Sequence, residues 1–286
     1  MNKRLKFFFL ALAISIPFWL GINVFHQNLQ QFFYQKEVTF NPSIMASIVY
    51  QLELEKKLEQ IRPVRIKDYQ DPEISALSVI SLLIDNQGKE IILFEKNSQE
   101  RMPIASLTKL MTAYVALKNY DLSEEMESAL YLALIESNNE AAMNLARVMG
   151  ETAFINSMNL EAESLGMKNT FFINPTGLDG VDSFNYSTVL DLAKFAKYLT
   201  EEKHLILEIS TLAEFENSAN TNKLLGEIFG IVGGKTGETR KAGDCLLLII
   251  QAPENNGYII NVILNSEDRF EEMKKLIDWT QYAYRW

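Results

Sequence analysis

The chain is poor in the residues that most often carry chemistry. A single cysteine, Cys245, stands in 286 residues, so no intrachain disulfide can form. It lies in the apolar run 245–250, which fits a buried structural thiol. The two histidines, His26 and His204, sit far apart, one after an apolar run and one in a charged stretch. A histidine-based triad or a histidine-rich metal site is therefore not expected, and a general base has to come from Lys, Asp or Glu. Cations are in deficit as well: 27 Lys and Arg against 37 Asp and Glu leave a net charge of −10. That excludes the broad basic face a nucleic acid requires, but not a few local cations for a small anion. No internal repeat or low-complexity segment occurs, and neither a metal nor a cofactor is expected.

What is present sorts into three parts. Lys3, Arg4 and Lys6 precede an apolar stretch of 19 residues from Phe7 to Phe25, just long enough to span a bilayer as a helix. The bulky Val24-Phe25-His26 offers no small-residue cleavage site, which favours an uncleaved anchor over a cleaved signal. Basic residues before the span predict a cytoplasmic N-terminus and an exported body, hence a single-pass protein of the cell membrane. Residues 1–25 are thus read as tip and anchor, 26–73 as a juxtamembrane stalk with a helix near Ile48–Ile61, and 74–286 as the catalytic domain.

Within the body, two runs flank the turn Asp85-Asn86-Gln87-Gly88 and predict a hairpin, as do Cys245–Ala252 and Tyr258–Asn265 around Asn255-Asn256-Gly257. Between them lie helical patterns beginning near Ser106, Ser123, Glu140, Thr152 and Thr188, with Ser123 as one N-cap and Ser187 or Thr188 as another. A last amphipathic helix spans about Glu267–Tyr284. Strands at both chain ends with helices between predict an α+β fold: an antiparallel sheet built from both ends and flanked by helices.

Three short motifs follow one another: Ser106-Leu107-Thr108-Lys109, Ser137-Asn138-Asn139 and Lys235-Thr236-Gly237. Alone each is weak, since S-x-x-K arises about once by chance in a chain of this length. Context strengthens them. Ser106 opens a helix, where free N–H groups and the dipole favour an oxyanion, and Lys109 three residues on shares its face. An amine so placed can take the serine proton if its pKa is lowered. Ser137–Asn139 interrupts a helical region and turns polar groups outward. Lys235-Thr236-Gly237 follows Gly233-Gly234, where a backbone can approach a ligand closely. Lys235, Arg240 and Lys241 form a basic cluster suited to a carboxylate.

With these segments, and with Leu165-Gly166-Met167-Lys168-Asn169-Thr170, Asn174-Pro175-Thr176-Gly177-Leu178 and Ala242-Gly243, the chain resembles the serine-type D-alanyl-D-alanine carboxypeptidases, the low-molecular-mass penicillin-binding proteins. The resemblance implies that Ser106 forms the acyl-enzyme, Lys109 is its base and Ser137 relays a proton to the leaving D-alanine. It implies that Asn139 holds the substrate amide, Lys235 adds positive potential and Thr236 binds the terminal carboxylate. Gly237 completes that motif, and the N–H groups of Ser106 and Glu238 would form the oxyanion hole. The implied partners are a peptidoglycan stem peptide ending in D-Ala-D-Ala and β-lactams as covalent inhibitors. A β-lactamase-like hydrolase and a catalytically weak, membrane-tethered wall-binding protein are the alternatives. Two departures stand out. Only 27 residues separate Lys109 from Ser137, shorter than is usual in the family. Tyr258 stands where many members carry an arginine, which would leave Arg240 or Lys241 to hold the carboxylate.

Overall fold

Side chains alternate across a β-strand, and here both sets are apolar, so the sheet must be covered on both faces. In strand β2 (Ser78–Ile84) Ile80, Leu82 and Ile84 join one buried cluster while Val79 and Leu83 join another. The computed structural model describes residues 24–26, 28, 41–60 and 63–286, and the chain divides into two units, 1–63 and 64–286. In the first unit a helix, α1, runs from Pro42 to Gln60 and contains the predicted Ile48–Ile61 helix up to its last residue. The anchor expected at Phe7–Phe25 falls almost wholly outside the described residues. Among those described, no helix is long and apolar enough to cross a membrane.

The second unit opens on a short strand β1 (Val64–Arg65), then β2, β3 (Glu90–Lys96) and β4 (Met102–Pro103). Helices α2 (Thr108–Asn119), α3 (Glu124–Ile135), α4 (Asn139–Arg147) and α5 (Glu151–Ser164) follow. After β5 (Tyr186–Ser187) come α6 (Val189–Glu202), α7 (His204–Ser210) and a small hairpin of β6 (Glu214–Phe215) and β7 (Ser218–Ala219). Strands β8 (Ile231–Thr239), β9 (Gly243–Gln251) and β10 (Tyr258–Ser266), helix α8 (Arg269–Ala283) and β11 (Tyr284–Arg285) complete it. The main sheet has the order β3-β2-β10-β9-β8 and every pairing in it is antiparallel. Helices α2 to α7 contribute to the core on one face, and α8 covers the other through Met273, Leu276 and Ile277.

Both predicted hairpins form, and the helix starts are capped as expected. The Ser123 hydroxyl accepts from Met126 N–H at 3.4 Å and the Thr188 hydroxyl from Asp191 N–H at 3.0 Å. Two features differ from the sequence reading. The second unit begins at Val64, ten residues before the expected start at Ile74, because β1 pairs with β11 and Trp279 Nε1 donates to the Gln70 carbonyl at 2.6 Å. The glycine-rich segment before Cys245, to which the sequence pattern assigns no strand, is itself the edge strand β8. Its glycines are demanded by crowding: a Cβ on Gly233 would lie 2.7 Å from Leu207 Cδ2.

The first turn of α8 ties the two chain ends together. The buried Glu272 carboxylate accepts from Ser75 N–H, from Ala76 N–H at 3.0 Å and from the Ser266 hydroxyl at 2.5 Å. Glu272→Ala would orphan these donors. We expect a loss of about 3 kcal/mol, or a melting temperature lower by roughly 6–12 °C at this size. Melting followed by circular dichroism checks this, and a shift under 2 °C would show that the clamp carries little.

Candidate active site

Ser106 sits in a single 3-10 turn, Ala105–Leu107, that runs into α2. The turn is forced: Ala105 holds φ at 45°, a left-handed conformation costly for any residue with a Cβ. Asn185 supports it, accepting Ile104 N–H on its carbonyl at 3.2 Å and donating from its side chain to the Thr108 hydroxyl at 2.9 Å. One turn into the helix, the Lys109 side chain is wholly buried. Its Nζ lies 2.7 Å from Ser106 Oγ, 2.8 Å from Asn139 Oδ1 and 2.7 Å from the Thr176 carbonyl. Burial brings its pKa down from 10.5 to about 7. A neutral amine has two N–H groups and one lone pair. The amide oxygen and the carbonyl can only accept, so the lone pair is left for the Ser106 hydroxyl.

Asn139 comes from the break between α3 and α4. Asn138 caps α4, its Oδ1 accepting from Ala141 N–H at 2.9 Å, which turns the next residue toward Lys109. Ser137 precedes it with φ at 65°, another left-handed non-glycine. Its hydroxyl makes no hydrogen bond with the described residues, Ser106 included. The structure therefore brings Ser106, Lys109 and Asn139 together and sets Ser137 two residues away on the same turn.

Strand β8 supplies the opposite wall. A Cβ on Gly237 would stand 3.0 Å from Ser106 N, so the strand lies directly against the nucleophile turn. Lys235 is fully buried, its Nζ donating to the Thr236 carbonyl at 3.2 Å. Burial first, and then the nearby Lys109 and Arg269, hold its pKa well below the usual lysine range. The Thr236 hydroxyl is 2.6 Å from that of Thr221, whose N–H donates to the Ile135 carbonyl at 3.0 Å. Glu238 is exposed and its carboxylate lies 3.3 Å from Arg269 Nη2.

Arg269 corrects the sequence reading of Tyr258. Thr236 pairs with Leu246, and Leu246 with Ile263. Tyr258 is five residues back along β10, roughly 17 Å away at the rise of a strand. Arg269 opens α8 just past the near end of β10, and its Nη1 donates to the Gly237 carbonyl at 3.0 Å and to Asp244 at 2.9 Å. Arg240 is exposed, and the Lys241 ammonium is engaged by the carbonyls of Gly180 and Val181. An arginine thus stands beside Gly237, delivered by a helix start instead of a strand.

The loop from Asn174 forms the third wall. Asn174 Oδ1 accepts from Thr176 N–H, from the Thr176 hydroxyl and from Gly177 N–H at 3.0, 3.0 and 2.7 Å, curling the backbone so that the Thr176 carbonyl faces Lys109. Gly177 packs on the nucleophile turn with φ at 85°, and a Cβ there would fall 1.9 Å from the Ala105 oxygen. Residue types did not reveal Thr176, because its contribution is a backbone oxygen. The Asn174-Pro175-Thr176-Gly177 turn signature was the available clue. Among the described residues, no three His, Cys, Asp or Glu side chains converge as a metal site.

A helix-borne serine, a buried amine three residues on and a glycine-bearing sheet edge over both define a serine site of the penicillin-binding-protein fold. Penicillin-binding protein D2 from Listeria monocytogenes in its ampicillin-bound form superposes with a TM-score of 0.67 at 27% identity, over 74% of this chain and 100% of that one. The family model described as D-alanyl-D-alanine carboxypeptidase, peptidase S11, matches residues 66–129 and 123–268, and the chain belongs to that family. Carboxypeptidase DacF of Bacillus subtilis is 28% identical over 235 residues, 68% of this chain and 59% of its own length. The D-alanyl-D-alanine endopeptidases of Pseudomonas aeruginosa and Escherichia coli are 33% and 32% identical, over 59% and 73% of this chain and 66% and 78% of their own lengths. The chain thus spans less than two thirds of the first two of these relatives.

Gly177→Ala should abolish acylation of Ser106, because its methyl group and the backbone of Ala105 cannot share one space. Gly166→Ala serves as the control: Gly166 also has a positive φ but open space around it. Equal acylation in the two variants would show that the close approach at Gly177 is dispensable.

Proposed function

We propose that this chain is a serine D-alanyl-D-alanine carboxypeptidase that removes the terminal D-alanine from peptidoglycan stem peptides through an acyl-enzyme on Ser106. The observation that carries the proposal is the 2.7 Å contact between Ser106 Oγ and an amine that burial makes basic near neutrality. In this reading the Lys109 amine takes the hydroxyl proton as Oγ bonds to the carbonyl carbon of the penultimate D-alanine. The N–H groups of Ser106 and Glu238 hold the oxyanion, and Asn139 positions the substrate amide. The C–N bond then breaks, with the proton passing through Ser137 to the departing amine of D-alanine. Water attacks the ester, Lys109 again accepts a proton, and Ser106 is restored.

The terminal carboxylate meets the positive potential of Lys235 and Arg269 beside the Thr236 hydroxyl and Gly237. The family supports this substrate class, and the ampicillin- and cefotaxime-bound forms of the Listeria relative support β-lactams as covalent inhibitors. The endopeptidase names among the relatives favour a second reading, cleavage of a cross-link at the same D-alanyl bond. The apolar stretch after Lys3, Arg4 and Lys6 supports membrane attachment with the body outside.

Purified protein mixed with a labelled penicillin should gain one adduct, located on Ser106 by mass spectrometry, and should release D-alanine from a peptide ending in D-Ala-D-Ala. The absence of any adduct on Ser106 would falsify the reaction. Lys109→Ala should lower acylation by at least about a hundredfold, the usual worth of a general base. Because the base works only when neutral, parent acylation should rise about tenfold per pH unit below pH 7 and level off above it. A profile flat from pH 5 to 9 would show that Lys109 is not the base.

A further inference from the structure

The loop that delivers the Thr176 carbonyl does not end there. Beyond Leu178 it reaches the end of β8, and the two segments grip each other. Asp179 Oδ1 accepts from the Thr239 hydroxyl at 3.0 Å, and its Oδ2 accepts from Lys241 N–H at 3.1 Å. In return, the Lys241 ammonium donates to the Gly180 carbonyl at 3.3 Å and the Val181 carbonyl at 2.9 Å, and lies 5.5 Å from the centroid of the Phe184 ring. Thr239 is used twice, since its hydroxyl also accepts from Ala242 N–H at 3.1 Å. A side chain of each segment thus holds the backbone of the other, across 60 residues of sequence.

The positions of these bonds decide what they do. Asp179 is three residues from Thr176, whose carbonyl binds the Lys109 amine, and Thr239 is two residues from Gly237, which lies against Ser106 N. The loop and the strand press on the nucleophile turn from two sides, Gly177 against Ala105 and Gly237 against Ser106. Neither glycine has a side chain to hold it there. A clasp beside both contacts fixes their separation, and reacting groups lose rate steeply when displaced by about 1 Å.

We propose that Asp179 and Lys241 form a positioning clasp for the active site, closing the 174–184 loop on the end of β8 so that the Thr176 carbonyl and Gly237 converge on Lys109 and Ser106. Asp179 and Lys241 are positioning residues that touch no reacting atom. The catalytic consequence rests on the reaction proposed above; the mechanical one does not.

The test uses Asp179→Ala, Lys241→Met and their double variant, with Thr239→Val as a milder cut at the same joint. Hydrogen exchange read by mass spectrometry should show faster exchange in the loop and, away from the substitutions, in the segment 104–109. Acylation by a fluorescent penicillin at pH 7 should fall about tenfold to a hundredfold. Its pH midpoint should move upward from about 7, as water reaches Lys109 and relieves its desolvation. The double variant should be no slower than the worse single one, because one clasp is broken once.

Lower melting temperatures with unchanged rate, midpoint and exchange at 104–109 would make the contacts merely structural and overturn the proposal. If Asp179→Ala does not fold, Thr239→Val and Lys241→Met are decided by the same readouts. If the parent protein forms no adduct, the reaction fails and exchange at 104–109 alone decides the clasp.

Discussion

Everything in this site depends on burying one amine with three partners. Lys109 binds Ser106, Asn139 and the Thr176 carbonyl, which come from one helix start, one interhelical break and one loop. Removing an ammonium from water is costly unless every proton is matched. Here both protonation states are matched. As a cation the side chain donates to three oxygens; as a neutral amine it donates to two and accepts from the serine hydroxyl. A group that can gain or lose a proton without moving its partners is what a proton relay requires.

The backbone bears the cost of this arrangement. Ala105 and Ser137 both hold left-handed conformations that side chains disfavour; Ala105 adjoins Ser106, and Ser137 lies two residues before Asn139. Gly177 comes closer to the nucleophile turn than any Cβ allows, and a Cβ on Gly237 would be tightly pressed at 3.0 Å from Ser106 N. Such a conformation persists only where the surroundings over-determine it. The two-faced sheet, the α8 clamp through Glu272 and the Asn185 bonds to the turn are those surroundings. Strain at Ala105, next to the nucleophile, is thus held by packing distributed over the whole second unit.

What could be read from the sequence was local or periodic. The i, i+3 spacing of Ser106 and Lys109, the hydroxyl caps at Ser123 and Thr188 and the two hairpins with Asn and Gly turns each need only neighbouring residues, and all are present. What could not be read is made by tertiary contact. Strand β8 carries three glycines that argue against a strand, yet Leu207 and Leu248 leave little room for a side chain at Gly233 and Gly234, and the Ser210 hydroxyl accepts from Gly234 N–H. Thr176 acts through its backbone, which no residue type advertises. Arg269 lies 32 residues beyond Gly237 and reaches it only because β9 and β10 return the chain to the same end of the sheet. Tyr258 was misread for the complementary reason: position along a hairpin says little about which end of a strand faces the cleft.

The charge pattern makes the same point about context. A chain with a net charge of −10 gathers Lys109, Lys235 and Arg269 at one place. They cannot all be equally charged there. The Arg269 guanidinium is paired with Asp244 and Glu238. Lys109 and Lys235 are buried, and among the described residues Lys235 has only the Thr236 carbonyl to receive its protons. Its cation is therefore poorly supported until an anion arrives. On the proposed reaction the substrate carboxylate is that anion, and its approach raises the proton affinity of Lys235. Lys109, 2.7 Å from the nucleophile, is pressed toward neutrality by its burial. The two buried amines are thus tuned differently: burial alone frees Lys109 to act as a base, while the cation of Lys235 waits on the substrate's own charge.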